Sequence, residues 1–286
     1  MKILVTGNGG FIGCELEERL RLAGFGVAGF DLRSGQDIRG KNSLISYSAG
    51  CDVVVHLAAL MDTDGKQPAE EIIRTNVSGT RNVLEAARRN GLKKVIYMSS
   101  VHALGIFKGE SAPAYFPVDD GHPCVPLSPY GISKKRSEEA CRSFHLATGI
   151  RTICLRPPGV WREKTYREIA AYRRERAEYE WDPYWEYGAF IDVRDLATLV
   201  IRCLESGFCG YGCFLACADD ISTSGRTGAE LVRMLHPEVA WKDTASYRDD
   251  PYKSLLDNSR AKTAFGWNPE YSWRRFMVSE GNKRRS

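Results

Sequence analysis

Apolar residues open the chain: Lys2 to Val5 ends in a short β-branched run, and a glycine-rich turn follows at once. From Phe11 the apolar spacing becomes helical, with Phe11, Ile12, Leu16 and Leu20 on the buried face. Gly26 to Phe30 reads as a second strand. The next stretch, Ser34 to Ile38, leaves room for barely one turn and a minimal strand before a helix over about Asn42 to Ser48. Cys51 to Ala59 is a continuous run of the kind buried on both faces of a parallel sheet. A long helix is predicted over about Pro68 to Asn90, opened by proline and closed by Gly91. Its apolar side carries Ile72, Ile73, Val77, Val83, Leu84 and Ala87. A strand over Lys94 to Ser100 follows, then a polar, proline-rich loop over 105–129. Beyond it the pattern predicts a helix from about Ser128 to Thr148 and a strand from Arg151 to Leu155, broken by Pro157, Pro158 and Gly159. Helical spacing returns over Val193 to Glu205, over Thr227 to Leu235 and, briefly, within Asp257 to Phe276. Strands alternating with helices predict an α/β fold with a doubly wound parallel sheet.

The turn after the first strand adds chemistry to that frame. Gly7, Gly10 and Gly13 give room for a sharp turn, for a pyrophosphate close to the main chain, and for a helix packed on the sheet. The free N–H groups at Phe11, Ile12 and Gly13 would face the phosphates, where the helix dipole favours negative charge. Strand, glycine turn and helix together are the context that makes this a dinucleotide fingerprint. Its second half is a carboxylate about 20 residues on, and Asp31 closes the second strand. An acid there accepts from ribose hydroxyls and favours NAD; Arg33, beside Leu32, could accommodate a 2′-phosphate, so NADP stays open. Asp37 and Ile38 are expected near the adenine, and Leu57, Ala58 and Ala59 along the cofactor at the end of their strand. Met98, Pro157 and Val160 complete the expected cofactor surface. The fold is therefore read as Rossmann-type over residues 1–160. A small C-terminal substrate-binding lobe spans 161–286, with segments around 188–217 returning to the first domain.

Composition narrows the classes. The 286 residues are 43% hydrophobic and 27% charged, as in ordinary soluble globular proteins. The net charge of +4, gathered near 162–176 and in the tail 281–286, reads as solvated surface rather than a nucleic-acid footprint. The chain starts directly on a core strand and has no apolar run near the 18 or so residues of a membrane span. A cytoplasmic protein is expected. Nine cysteines, without a C-x-x-C pair, read as reduced thiols, with Cys14, Cys51, Cys154 and Cys203 in predicted core elements. The four-residue recurrence of Cys209, Cys213 and Cys217 lacks nearby histidines, so no metal site is expected.

Tyr130-Gly-Ile-Ser-Lys134 is the second chemical signal. Four apart on a helix, Tyr130 and Lys134 share a face. A free phenol, with a pKa near 10, is a poor base at neutral pH. Bringing it toward neutrality asks for roughly 3–4 kcal/mol, which the lysine and a positively charged nicotinamide could supply together. Such a tyrosine takes the proton of a substrate hydroxyl as hydride leaves the same carbon.

Taken together, the motifs resemble an extended short-chain dehydrogenase/reductase of the NAD-dependent epimerase/dehydratase family. The stretches are Thr6 to Gly13, Val54 to Ala59, Thr75 to Thr80, Tyr97 to Ser100 with Gly105, Pro129 to Lys134, Leu155 to Pro157, and Phe190 to Asp195. The resemblance implies Ser100 as the serine on the reacting oxygen, Tyr130 as acid/base, Lys134 on the nicotinamide ribose, and Asn76 ordering the site. It also implies a homodimer through the helices 68–90 and 128–148, and a small-molecule sugar or nucleotide-sugar substrate. Val101 and His102 stand where family dehydratases carry an Asp-Glu pair, so dehydration is not expected. The chain is also similar to uronate dehydrogenases: they keep a histidine at the place of His102 and an arginine, gripping a carboxylate, near Arg167. Met61 and Val101 stand where those enzymes carry a serine and an asparagine. The expected substrate contacts are therefore Met61, Ser100, Val101, His102, Tyr130 and Arg167. Around Arg167 the region 161–187 interleaves Arg162, Arg173, Arg174 and Arg176 with Trp161, Tyr166, Tyr172, Tyr179, Trp181, Tyr184 and Trp185. That mixture fits either an exposed charged helix or a pocket wall. The expected activity is hydride transfer at a secondary alcohol, by epimerisation or by uronate oxidation. A non-catalytic NAD(P)-sensing regulator is disfavoured by the intact Ser100, Tyr130 and Lys134.

Overall fold

The structure, a computed structural model, describes residues 1–61, 67–107, 109–176, 183–223 and 225–283, with side chains except at 183–185 and 281–283. Tyr179, Trp181 and the tail residues 284–286 lie outside the described residues, as do the side chains of Tyr184 and Trp185.

The chain runs from β1 (Lys2–Thr6) through the glycine turn into α1 (Phe11–Leu22) and back along β2 (Gly26–Phe30). One 3-10 turn at Leu32–Ser34 then leads to α2 (Lys41–Ser48). The minimal strand expected in Ser34 to Ile38 does not form. Asp31 instead accepts the Arg33 N–H, and Asp37 accepts the Arg39 N–H, so two side-chain turns fold this stretch on itself. β3 (Val53–His56), α3 (Ala69–Arg89) and β4 (Lys94–Met98) follow, then β5 (Tyr115–Phe116), α4 (Pro129–Thr148) and β6 (Arg151–Arg156). β7 (Gly159–Trp161), α5 (Glu163–Glu175), β8 (Phe190–Asp192), α6 (Val193–Glu205) and β9 (Tyr211–Leu215) come next. The last elements are α7 (Gly228–Leu235), β10 (Ala240–Trp241), α8 (Ser246–Asp249), α9 (Ser259–Phe265) and α10 (Trp273–Lys283).

Six strands make one parallel sheet in the order β2-β1-β3-β4-β6-β9. The order reverses between β1 and β3, which opens a crevice at their carboxyl ends. Alternation along the strands divides the core. Ile3, Val5, Val53, Val55, Ile96 and Ile153 face α1 and α6, at Leu16, Leu20, Leu196 and Val200. Leu4, Val54, Val95, Tyr97 and Cys154 face the other way, onto Val83, Leu84 and Ala87 of α3 and Cys141 of α4. Lys94 is buried, and its ammonium donates to the carbonyls of Cys203, Leu204 and Ser206 at the end of α6. The helix dipole favours a cation there.

The smaller lobe is built from both halves of the chain. Val101, Leu104, Ile106, Phe107 and Phe116 share a core with Leu231, Val232, Tyr247 and Leu255, and β5 pairs with β10. A further cluster stacks Trp161 on Phe190, with Tyr166 and Trp273 against them. All nine cysteines are free; Cys51, Cys154 and Cys203 are buried, but Cys14 is exposed on α1, where the sequence had placed it in the core. Among the described residues no helix is long and apolar enough to cross a membrane.

Candidate active site

The glycine turn is a cradle that larger residues would fill. Gly7 has φ +76, and a Cβ there would lie 2.7 Å from the Ala58 backbone nitrogen. A Cβ on Gly13 would lie 2.2 Å from the Gly7 carbonyl oxygen, so α1 starts in contact with the turn. No side chain caps the start of α1. Its first-turn N–H groups are therefore available to an anion, as a dinucleotide's phosphates require. Asp31 lies against this turn: one oxygen accepts the Gly9 N–H at 2.9 Å, the other the Arg33 N–H at 2.8 Å. The Arg33 guanidinium donates to the Gly9 carbonyl, so acid and base share the rim. Both features fit a nucleotide's ribose end.

Around the cradle the expected contacts divide. Leu57, Ala58 and Ala59 are half-buried at the end of β3, Val160 is half-buried on β7, and Phe11 and Leu32 are exposed. Pro157 is buried. Asp37 is clamped by the Arg39 guanidinium, which holds its carboxyl below the usual range. Ile38 packs inward against Gly79 of α3, where a Cβ would lie 2.3 Å from its Cδ1. His56 lies between the hydroxyls of Thr6 (2.7 Å) and Thr80 (3.1 Å), and burial lowers its pKa to about 3. It is a neutral, satisfied core residue.

The second group of residues gathers where β4 ends and α4 begins. Ser128 caps α4 through the Gly131 N–H, Pro129 takes the first turn, and Tyr130 follows, half-buried. Ser100 accepts the His102 N–H at 3.2 Å, and its hydroxyl draws the Tyr130 phenol down. Lys134, one turn on, donates to the Met98 carbonyl at 2.7 Å, and its ammonium is 5.4 Å from the centre of the Tyr130 ring. Burial brings Lys134 down to about 8. On balance the protein raises the phenol: burial pushes it up, Glu186 pushes it further, and only Ser100 draws it down. Lys134 lies beside the ring and spends a hydrogen bond on the main chain.

Three buried contacts hold α4 in place. Asn76 of α3 donates to Ser133 Oγ and exchanges hydrogen bonds with the Leu60 main chain. Glu138 accepts from Ser99 Oγ at 2.6 Å and forms a buried ion pair with Arg156 of β6 at 2.7 Å. The same helix thus carries Tyr130 and Lys134 and is bolted to β4 and β6.

The expected substrate residues are placed unevenly. Met61 is exposed, next to the undescribed stretch 62–66. Val101 is fully buried in the lobe core, which leaves its side chain no surface for a substrate. His102 stands edge-on to Tyr130, with ring centres 6.0 Å apart. Arg167 is exposed on α5 and pairs with Glu163 one turn before it; no contact joins it to Ser100, His102 or Tyr130. Arg173 of the same helix is buried and lies over Trp273.

Sequence reasoning missed Glu186. It is buried, its carboxylate lies 3.0 Å from His102 Nε2, and it accepts the Gly159 N–H. No spacing marks it among the other acids of 161–187, because its partners come from distant parts of the chain.

Residues 3–210 match the model of the NAD dependent epimerase/dehydratase family. A relative from Methanocaldococcus jannaschii carrying a UDP-glucose 4-epimerase name is 34% identical over 99% of this chain and 96% of its own length. The uronate dehydrogenase of Pseudomonas syringae pv. tomato is 30% identical over 54% of this chain and 58% of its own. A short-chain dehydrogenase/reductase superfamily structure from Agrobacterium tumefaciens, solved with bound NAD, superposes with a TM-score of 0.71. It is 24% identical and covers 100% of this chain and 97% of that one.

Proposed function

The chain belongs to the NAD dependent epimerase/dehydratase family, and from that premise we propose that it epimerises a nucleotide sugar at a secondary alcohol with Tyr130 as the base. It is an enzyme, and NAD is the cofactor of its family. The observation that supports the reading is the gathering of Ser100, Tyr130 and Lys134 at the carboxyl end of β4, in the same parallel sheet whose first strand leads into the glycine cradle. Gly7, Gly10, Gly13 and the start of α1 would hold the diphosphate, Asp31 a ribose, and Lys134 the nicotinamide ribose. Bound NAD supplies the acceptor for the hydride of the alcohol carbon and, in an epimerase, the donor for its return.

The chain's own part is the proton. Ser100 donates to the reacting oxygen, and Tyr130 removes its hydrogen as the carbonyl forms. Because burial and Glu186 raise the phenol, positive charge has to enter the pocket for Tyr130 to ionise near neutrality. Val101 and His102 offer no carboxylic acid after Ser100, which supports simple hydride chemistry over dehydration. Uronate oxidation is the second reading, favoured by His102 standing against Tyr130.

The deciding experiment supplies NAD with a panel of nucleotide sugars and free uronates, following absorbance at 340 nm and sugar composition. A new sugar isomer without accumulating NADH is expected. Net NADH from a uronate would replace the first reading with the second. Tyr130→Phe should bind NAD as before and lose turnover; an active variant would remove the tyrosine from its role.

A further inference from the structure

Ser100, Tyr130 and Lys134 leave one charged group of the pocket without a task. Glu186 is 8% exposed, and a buried carboxylate is costly unless it is paired and hydrogen-bonded. One oxygen lies 3.0 Å from His102 Nε2, and the other takes the Gly159 N–H. Its charge is, after burial, the next influence raising the Tyr130 phenol. His102 links the two. Its main-chain N–H reaches Ser100 Oγ, and its ring stands edge-on to both Tyr130 and Phe107.

The backbone beneath the carboxylate is unusual too. The turn Pro183–Gly188 ends with Glu186, Tyr187 and Gly188 at φ values of 53°, 58° and 75°. For a residue with a Cβ this left-handed conformation costs roughly 1–2 kcal/mol. The surroundings enforce it: the Tyr187 phenol donates to the Ile106 carbonyl and meets His236 Nε2 at 3.0 Å. A strained, buried acid facing an imidazole beside a catalytic tyrosine marks function more than packing.

We propose that Glu186 is a positioning residue that acts through His102. By accepting the Nε2–H it holds the imidazole in one tautomer and leaves Nδ1 as a lone-pair acceptor. Nδ1 has no hydrogen bond among the described residues. The group it takes is a donor on the substrate, and on a sugar that donor is a hydroxyl next to the reacting carbon. The pair thus sets the substrate end beside Tyr130 as a polyol ring, and this assignment rests on the sugar chemistry proposed above.

The test separates the two claims. In nitrogen-15 spectra at about pH 8.5, above the ordinary imidazole range, His102 (assigned by loss of its signals in His102→Gln) should carry its proton on Nε2. In Glu186→Gln the amide can present N–H in place of an acceptor, and the fixed tautomer should give way to a mixture or to Nδ1–H. A wild-type proton on Nδ1, or an unchanged tautomer in the variant, overturns the assignment; if the variant does not fold, the wild-type spectrum decides alone. With a panel sugar that is turned over, Glu186→Gln should lower kcat/KM roughly tenfold or more, as removing a group that orients a histidine does. NAD affinity should be unchanged, and the loss should vanish in a His102→Ala background. Additive losses in that background would refute action through His102. A panel with no turnover would sink the sugar reading while the spectra still judge the pair.

Discussion

A tyrosine that serves as a base has to be lowered, and most of what surrounds Tyr130 raises it. Burial and the Glu186 carboxylate push the phenol up, and the Ser100 hydroxyl alone opposes them. Ser100→Ala should therefore move the rise of kcat/KM with pH to higher pH, besides reducing kcat; an unmoved rise would mean that another group sets it. His56 gives a second titration. Its pKa is about 3 in the fold, against an ordinary 6.5, so between those values the unfolded chain binds the extra proton. The stability it contributes is complete above pH 6.5 and is lost as pH falls toward 3, on the order of 4 kcal/mol in all. Melting temperature should fall over that range, and less steeply in His56→Asn; equal slopes would place the acid sensitivity elsewhere. Residues of this kind differ in legibility. That Ser100, Tyr130 and Lys134 lie at the junction of β4 and α4 could be read, because a strand end and helical spacing place them there. Glu186 could not, because its meaning comes from His102, which only tertiary folding brings near.

At the scale of elements, two junctions decide the site. At the first, α1 rests on the glycine turn so closely that Gly13→Ala would place a methyl 2.2 Å from the Gly7 oxygen. That variant should lose more than about 2 kcal/mol of stability, as overpacked backbone contacts do, and weaken NAD binding measured by calorimetry. Wild-type affinity would show that the turn can yield. The second junction is the Glu138–Arg156 pair, buried to 5% exposure on both sides, which ties α4 to β6. Arg156→Met takes the ion-pair partner from the buried Glu138 carboxylate, a loss of about 3–5 kcal/mol that denaturant titration would read. The long helices and the apolar strands were legible from periodicity, their ends within about three residues. The strand expected in Ser34 to Ile38 was not, because Asp31 and Asp37 use their side chains to close turns, and composition does not say which of two local hydrogen-bond patterns prevails.

The whole molecule places a sheet between two helical layers and hangs its lobe on the carboxyl ends of β4, β6 and β9. The division at residue 160 does not follow the packing: Val101, Leu104, Ile106, Phe107, Phe116 and Val118 belong to the lobe's core, so the turn after Ser100 packs with the lobe. On the opposite flank, α3 and α4 lie side by side and form an open groove lined by Val77, Arg81, Leu84, Arg136, Ala140 and Phe144. The expected homodimer would pair this flank with its copy. Val77→Arg with Ala140→Arg should then shift the sedimentation coefficient to that of a monomer, and an unchanged value would move the interface to another face.

The left-handed step at Glu186 and Tyr187 has a consequence for inheritance. Each residue there is kept against a standing conformational penalty that glycine or asparagine would ease. In a relative, an acid retained at this step is therefore a sign that the histidine opposite is still in use, and a glycine there a sign that the lineage has let that use go.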